Sequence, residues 1–318
     1  MKLTTTKLIL NVFAAVLILG LSACKKENYP IGTLPSYGKE QVTQFFDDNE
    51  TPSQKKTINT GSAQTIIADL GTRFTFPENA FVYSNGNPVV GPVDIEIKEL
   101  YTLDAMIFSN KMTVSGGQYL GSGGELFVEA TQNGQRVELA PGKNLVIEVP
   151  TTNGLPQMAF FGGEQTANGF DWTPDPTVPL NVVVDTISQS EFYSIITDTL
   201  WSWINCDYFA NYTGQRTSVE IQVPSGKDPS NTAVFGYVPS INSVFRAGGG
   251  TFQNGSFWLK NGYDLPVGLN VYFIGIYYDA NKNIEYSLQN ATIVNNHVEV
   301  LNFSPITKAQ LQTLLQSL

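Results

Sequence analysis

The sequence predicts an all-β protein, with two β-sandwich-like domains in tandem and a short C-terminal helix. Apolar and polar residues alternate with a period of two in many short segments, for example VDIEIK at residues 93–98, which is the pattern of strands with one buried face. Asn-Gly pairs at residues 133–134, 168–169 and 254–255 separate such segments, and this pair is a strong hairpin signal. Hydrophobic residues make up 42% of the 318 residues and charged residues only 14%, so the chain has ample apolar material for a core.

The first 23 residues have the three parts of a secretory signal peptide. Two lysines form a positive start, residues 8–19 are apolar apart from Asn11, and small residues follow. This apolar run is shorter than the ~20 residues that a membrane-spanning helix needs. A signal peptide is therefore predicted in preference to a transmembrane helix.

The run ends in Leu21-Ser22-Ala23-Cys24, which closely resembles the lipobox of bacterial lipoproteins. In that family the signal peptide is removed before the cysteine, whose sulfur carries a diacylglyceryl group and whose new amino group is acylated, for example with palmitate. The resemblance implies that acyl chains on Cys24 anchor the protein in a bilayer, and two or more chains give stable anchoring. No Asp follows Cys24, which in this family implies the outer membrane, facing the periplasm or the cell surface. An ordinary signal peptide with an incidental cysteine is the competing interpretation.

Residues 24–56 are predicted to be a flexible tether between the membrane and the folded body. The segment is polar, contains three prolines and shows no sustained period, as linkers do. A short ordered patch is expected only at residues 44–46, which include two phenylalanines.

Residues 57–152 are predicted to form the first sandwich. Its alternating segments recur up to residues 145–149, which run into Pro150. The glycine-rich stretch at residues 121–124 lacks the Gly-Lys-Ser/Thr ending of a phosphate-binding loop, so it predicts a bulge or a tight turn.

The segments GTRFTFPENAFV, GPVDIEIKE, SGGELFVEAT and APGKNLVIEVP of residues 71–150 resemble the ZU-type β-sandwich of tight-junction scaffolds, netrin receptors and ankyrins. The resemblance rests on Gly71, the alternating phenylalanines, Pro77 with Ala80, and the last strand running into a proline. It implies a non-enzymatic module that binds other domains. Residues 101–120 depart from the family pattern, so the family's partner surfaces cannot be transferred to this chain.

Residues 153–214 are predicted to be a bridging β segment, and residues 215–318 a second β-sandwich with the terminal helix. In the run LNVYFIGIYY at residues 269–278, apolar residues do not alternate with polar ones. This is typical of a central strand covered on both faces. Thr307 as N-cap and Gln310 as its capping-box partner predict the start of the helix.

The titratable residues exclude several kinds of chemistry. His297 is the only histidine, so histidine-rich metal sites are excluded. Acylation of Cys24 would leave only Cys206, so no disulfide is expected within the chain. Cys206 lies in an apolar run, where a thiol behaves as a small hydrophobe, and this disfavours a catalytic Cys206–His297 pair. The formal charge of −10 argues against a nucleic-acid partner, and no cofactor is predicted.

One polar stretch has the spacing of a calcium-binding loop. Asp279, Asn281 and Asn283 would supply oxygen ligands at alternate positions. However, Ile284 stands where the sharp turn of such a loop needs Gly, and Asn290 stands where a bidentate Glu is needed. A polar hairpin tip is therefore the favoured interpretation over a weak calcium site.

The candidate binding residues are aromatic side chains beside Asn-Gly turns, namely Trp172, Trp258 and Tyr263. Such rings can stack on sugars or anchor a protein partner. Packing in the core or at its rim is the competing interpretation, and for the tryptophans it is the favoured one.

These observations predict a non-enzymatic binding or assembly lipoprotein of the outer membrane, with a protein partner in the cell envelope. The alternative is a glycan-binding surface lipoprotein of a nutrient-uptake system, and a glycosidase comes third. A flat apolar patch or an open sheet edge would favour the protein partner. Exposed coplanar aromatic rings would favour a glycan, and two carboxylates facing each other across a cleft would favour the enzyme.

Overall fold

The computed structural model describes residues 41–166, 169–248, 251–259 and 263–318, and it confirms the all-β class. The elements up to residue 209 are α1 Gln41–Asn49, β1 Gln54–Asn59, β2 Gln64–Ile67, β3 Arg73–Phe76, β4 Phe81–Val82, β5 Pro92–Leu100, α2 Leu103–Phe108, β6 Val114–Ser115, β7 Gln118–Gln132, β8 Gln135–Arg136, β9 Glu138–Leu139, β10 Leu145–Thr151, β11 Ala159–Thr166, β12 Gly169–Pro174, β13 Leu180–Val184, β14 Glu191–Thr197 and β15 Trp203–Phe209. The later elements are β16 Arg216–Thr217, β17 Val219–Gln222, β18 Thr232–Val238, a 3₁₀ turn Pro239–Ile241, β19 Ser243–Ala247, β20 Phe252–Gln253, β21 Ser256–Trp258, β22 Leu265–Pro266, β23 Asn270–Tyr278, β24 Ile284–Thr292, β25 His297–Val300, β26 Ser304–Ile306 and α3 Lys308–Gln316.

The predicted signal peptide and the lipid-attachment residue Cys24 lie outside the described residues. None of the described helices is long and apolar enough to cross a bilayer.

The first sandwich consists of two antiparallel sheets. The large sheet has the order β1-β5-β7-β15-β11-β12, and it packs on a five-stranded sheet with the order β13-β14-β10-β3-β2. The inward side chains of both sheets form one core, in which Ile95 and Leu126 of the large sheet meet Ile147 and Ile195 of the other. The period of two in the sequence thus marks the faces that are buried between the sheets.

The predicted bridging segment is part of this first sandwich. β11, β12 and β15 belong to the large sheet, and β13 and β14 belong to the five-stranded sheet. The first sandwich therefore extends to Phe209, beyond the predicted boundary at residue 152. Two of its late strands pair with partners about 50 to 90 residues earlier, for example Ile195 opposite Ile147 and Phe209 opposite Leu120. A local period cannot reveal such partners.

The glycine-rich stretch forms the predicted bulge within β7. The register against β15 shifts between Asn205 and Asp207, and Gly124 adopts a φ of 120°. A Cβ atom at Gly124 would also lie 2.3 Å from the Tyr101 ring. Glycine is required here for its backbone conformation and for the close approach of the ring.

The second sandwich also has two sheets. A four-stranded sheet with the order β20-β21-β17-β25 packs on a five-stranded sheet with the order β19-β18-β23-β24-β26, and Ile221, Phe257 and Phe273 lie in the core between them. β23 is the middle strand of its sheet, as the sequence predicts. Three helices cover the other face of that sheet, so we call it the helix-covered sheet.

The predicted tether is corrected at its C-terminal end, because α1 is an ordered helix in this layer. Val42, Phe45 and Phe46 are buried against the helix-covered sheet, and β1 follows from Gln54. Val42, Phe45, Phe46 and Asn49 have the i, i+3, i+4, i+7 spacing of an amphipathic helix. Polar neighbours and flanking prolines hide this spacing in the sequence.

Local signals correctly predict several chain reversals. Asn133 and Gly134 have φ values of 51° and 77°, and Asn254 and Gly255 have values of 54° and 77°, as type I′ hairpin turns require. Asn168 lies outside the described residues, but the strands on either side of it, β11 and β12, pair antiparallel. At α3 the Thr307 capping box is present.

Candidate functional site

Two exposed valines lie on the outer face of the four-stranded sheet. Val298 and Val300 on β25 are 49% and 50% exposed. Val298 lies opposite Glu220 on β17, and Glu220 lies opposite Trp258 on β21. We call the surface formed by Trp258, Glu220, Val298 and Val300 the valine face.

The valine face follows from the alternation of side chains along each strand. Val219 and Ile221 on β17 and Phe257 on β21 turn inward and are buried in the core. Their neighbours in the sequence therefore turn outward. Because β25 continues this pattern with valines instead of polar residues, its outer face is apolar.

Trp258 adds an aromatic ring to the valine face, separated from Val298 by Glu220. The side chain is half-buried, and its indole Nε1–H is sealed from solvent and has no hydrogen-bond partner among the described residues. The carboxylate of the adjacent Glu220 accepts hydrogen bonds from Ser256 Oγ at 2.7 Å and from Gln222 Nε2 at 3.1 Å. A partly covered tryptophan beside a fixed acceptor is typical of a contact surface.

The edge of β25 is blocked although its face is open. β25 has a sheet neighbour on one side only within the described part of the chain. His297 and Glu299 turn inward at this edge, with His297 Nε2 3.3 Å from Glu299 Oε2 and the imidazole stacked on Phe273 at 5.7 Å. An inward-pointing acidic side chain such as that of Glu299 hinders the addition of another strand, so a partner is expected on the face and not on the edge.

Cys206 and His297 do not form a pair. Cys206 is buried in the core of the first sandwich, whereas His297 packs in the second. Burial raises the pKa of the Cys206 thiol. The thiol therefore stays protonated and is not activated as a nucleophile.

Trp172, the first predicted binding residue, lies in an interior position. Its side chain is 1% exposed, its Nε1–H donates to the Met112 carbonyl at 2.9 Å, and its ring packs edge-to-face on Phe170 at 5.0 Å. Such a ring is not available for stacking on a sugar or for anchoring a partner.

Tyr263, the third predicted binding residue, is partly buried. Its carbonyl accepts a hydrogen bond from the Tyr119 hydroxyl at 2.5 Å, and the two rings pack edge-to-face at 6.2 Å. Burial raises the pKa of Tyr263 to about 12. The preceding pair, Asn261 and Gly262, lies outside the described residues.

The calcium candidates form the tip of the hairpin between β23 and β24. Asp279 Oδ1 accepts the backbone N–H groups of Asn281 and Asn283, both at 2.8 Å, and Asp279 Oδ2 accepts Asn283 Nδ2 at 2.9 Å. Both carboxylate oxygens are therefore engaged by the loop itself. No cluster of three or more His, Cys, Asp and Glu side chains suited to a metal occurs in the part of the chain that the structure describes.

Two carboxyl groups do approach each other, but in the interior. Glu125 on β7 and Asp207 on β15 are both 0% exposed. Burial raises the pKa of Glu125 to about 8, opposed by the Lys111 ammonium. The glycosidase hypothesis needs two carboxylates across an open cleft, and this pair lacks access for a substrate.

The comparisons with known proteins leave the function open. No protein-family model matches the chain, and no curated protein matches its sequence. Seventeen chains of solved structures match. Among them is the gamma-CGTase from Alkalophilic bacillus clarkii, with 11% sequence identity and a TM-score of 0.19, where the match covers 78% of this chain and 40% of that chain. A similarity this weak carries no argument about fold or function.

Proposed function

We propose that the protein is a lipid-anchored, non-enzymatic binding protein of the bacterial outer membrane, and that it docks another envelope protein on the valine face. The anchor is the lipobox cysteine Cys24. The single observation that carries the binding role is the pair of half-exposed valines, Val298 and Val300, on the same face as Trp258. Exposed apolar groups arranged on a rigid sheet are typical of a protein-docking surface.

The structure favours a protein partner over a glycan for a specific reason. Sugars bind on exposed, flat aromatic rings, and the highly exposed large hydrophobic side chains of the described residues are all Ile, Leu and Val. Trp172 is enclosed and Trp258 is half-buried. The valine face instead offers a mixed surface of one ring, two valines and one carboxylate, which suits a protein interface.

Site-specific photo-cross-linking in intact cells tests this proposal. A photoreactive amino acid at position 298 should give a discrete cross-linked band, and Val300→Asp in the same chain should abolish it, because a charge on the apolar contact is costly to desolvate. The matched control is the photoreactive residue at Val90, which is 79% exposed in the first sandwich. Equal bands from positions 298 and 90, or a band that survives Val300→Asp, would contradict the proposal.

A further inference from the structure

Glu125 and Asp207 lie between the two sandwiches. Their side chains are on the outer face of the large sheet, since Leu126 and Cys206 beside them point into the core. The second sandwich covers this face, because β19 and the 3₁₀ turn contact β7. Asn242 Nδ2 reaches the carbonyl beside the bulge, that of Ser122, at 3.3 Å.

The segment between α2 and β7 joins this contact to the second sandwich. The Thr113 N–H donates to the Val244 carbonyl at 2.9 Å, and the Val244 N–H donates to Thr113 Oγ1 at 2.7 Å. Thr113 Oγ1 also lies 3.0 Å from Ser243 Oγ. These bonds hold β19 over the face that carries the two acids.

Most of the carboxyl oxygens in the pair are unpartnered. Both oxygens of Glu125 and Oδ1 of Asp207 are sealed from solvent and have no hydrogen-bond partner among the described residues. The other oxygen of Asp207 accepts Asn205 Nδ2 at 2.7 Å, and the Ser122 hydroxyl and the Gly123 N–H also act on Asp207 as donors that lower its pKa. An ionised carboxylate without donors is strongly disfavoured in such a place, so the neutral acid is the form that fits Glu125. For Asp207, burial outweighs its donors and raises the pKa.

A buried glutamate on the adjacent strand shows the opposite arrangement. Glu99 on β5 accepts hydrogen bonds from Thr72 N, Thr72 Oγ1, Leu70 N and Gln54 Nε2, at 2.5 to 3.1 Å. The fold therefore supplies four donors to one buried carboxylate and, among the described residues, none to Glu125. This contrast between neighbouring strands indicates that Glu125 is accommodated as an uncharged group.

The charged groups around the pair only partly compensate for its burial. The Lys111 ammonium is the opposite charge that acts on Glu125, and it is stacked over the Phe170 ring at 3.7 Å and the Trp203 ring at 4.3 Å. Burial lowers the pKa of Lys111. Burial, together with the neighbouring Glu125, raises the pKa of Asp207 well above its usual range.

Two other charged side chains, Lys98 and Arg246, have polar partners outside the pair, although Nε and Nη2 of Arg246 are buried without a hydrogen-bond partner among the described residues. On β5, Lys98 pairs with Glu50 at 2.5 Å. From the second sandwich, Arg246 on β19 donates to Asn110 Oδ1 at 3.1 Å and lies over the Phe46 ring. None of these contacts is with Glu125 or Asp207, so none of them neutralises a negative charge on either group.

We propose that Glu125 and Asp207 form a proton-dependent lock between the two sandwiches, in which both carboxyl groups stay neutral while the sandwiches are in contact and the contact loosens when they ionise. Opening admits water to the carboxyl oxygens, and each group then releases one proton to the solvent. The lock goes beyond the docking function, because it sets how firmly the body that carries the valine face is held together.

The direction of the pH effect follows from linkage. The pKa of Glu125 is raised from an ordinary 4.5 to about 8 in the closed form, so the closed form binds the proton more tightly than the open form. The contact is therefore firmest below about pH 4.5 and loosens as the pH rises towards 8. Within that window each pH unit shifts the ratio of open to closed forms by up to about tenfold per carboxyl group.

Hydrogen exchange of the full lipidated chain in detergent measures this loosening. The amides of residues 113–122 and 243–247 are followed from pH 5 to pH 9 in the native protein and in Glu125→Gln. The ratio of the two rates at each pH cancels the intrinsic chemistry of exchange. We expect similar rates near pH 5, and exchange at least about tenfold faster in the native protein than in the variant by pH 8.5.

Three further variants and an infrared measurement complete the test. Asp207→Asn should reduce the pH dependence in the same direction, while Glu138→Gln, at an exposed position on β9, should leave it unchanged. If Glu125→Gln does not fold, Glu125→Met provides a second side chain that cannot ionise. In the native protein alone, infrared spectra should show a neutral-carboxyl band at pH 7 that is lost by pH 9. A rate ratio that stays constant with pH, or no such band at pH 7, would overturn the proposal.

Discussion

At the scale of single residues, Trp172 and Trp258 occupy opposite environments although both follow an Asn-Gly turn. Trp172 is enclosed between the large sheet and the segment after α2, where its indole N–H is satisfied by the Met112 carbonyl. Trp258 lies half-buried on the valine face. The binding hypothesis therefore applies to Trp258, and Trp172 serves packing.

Replacing each tryptophan by alanine should separate these two roles. Trp172→Ala should lower the free energy of unfolding by about 3–5 kcal/mol, as truncation of a buried aromatic does. Trp258→Ala should cost only about 1–2 kcal/mol, because the ring is partly covered, and it should weaken the cross-link from position 298. Urea unfolding and cross-linking yields measure the two effects. A loss of stability as large for Trp258→Ala as for Trp172→Ala would rule out Trp258 as a contact residue.

The proposed lipid attachment depends on a single atom, the sulfur of Cys24. Cys24→Ala should abolish incorporation of a fatty-acid analogue in cells and release the protein from the membrane fraction, since no other thiol stands in a lipobox. Cys206→Ala is the matched control and should keep the label. Labelling of the Cys24→Ala protein would show that the anchor lies elsewhere.

At the scale of elements, α1 determines where the folded body begins. The helix contributes Val42, Phe45 and Phe46 to the layer over the helix-covered sheet. The Phe45 ring packs edge-to-face on Phe108 of α2 and on Tyr278 of β23, at 5.9 and 5.4 Å. A helix near the start of the described chain thus closes the far face of the second sandwich.

Phe45→Ala should therefore destabilise the whole protein. We expect a loss of about 3–5 kcal/mol in the free energy of unfolding, because the ring is 1% exposed and its removal leaves a cavity. Thr43→Ala, on the exposed side of the same helix, should change stability by less than about 0.5 kcal/mol. Equal effects of the two substitutions in urea unfolding would mean that α1 is not packed on the body.

At the scale of the whole molecule, the two sandwiches are interlocked by elements that cross between them. α2 leaves the first sandwich and packs on the helix-covered sheet of the second. Its residue Asp104 accepts hydrogen bonds from Gln312 and Gln316 of α3, at 3.0 and 2.9 Å. The stretch at residues 101–120 that departs from the ZU-type pattern includes this crossing element.

The second sandwich should therefore not be stable on its own. A fragment of residues 210–318 lacks α1 and α2, so Phe235, Ile274 and Ile276 would lose much of their cover. We expect this fragment to bind a hydrophobic dye and to lack sharp near-ultraviolet circular dichroism, while residues 41–318 behave as a native protein. A soluble, cooperatively unfolding fragment would contradict the interlocking.

The fold class and many local features could be predicted from the sequence because each depends on residues near one another in the chain. The type I′ turn at Asn254 and Gly255, the Thr307 capping box and the central strand β23 were all predicted from short patterns. Each pattern reports a local backbone preference or the burial of one face. The lipobox prediction at Cys24 has the same local basis, although the residue lies outside the described part of the chain.

The sequence by itself determined the strands, the turns and the composition of the core, and only the tertiary structure decided which strands share a sheet and which face meets which partner. Strands β11 to β15 join the first sandwich through β14 and β15, whose partners lie about 50 to 90 residues earlier in the chain. α1 packs on β18 and β23, far along the chain. The same long-range packing buries Glu125 without donors and encloses Trp172. Alternation along a strand indicates that one face is apolar. It does not indicate which surface covers that face, because the covering surface comes from a distant segment.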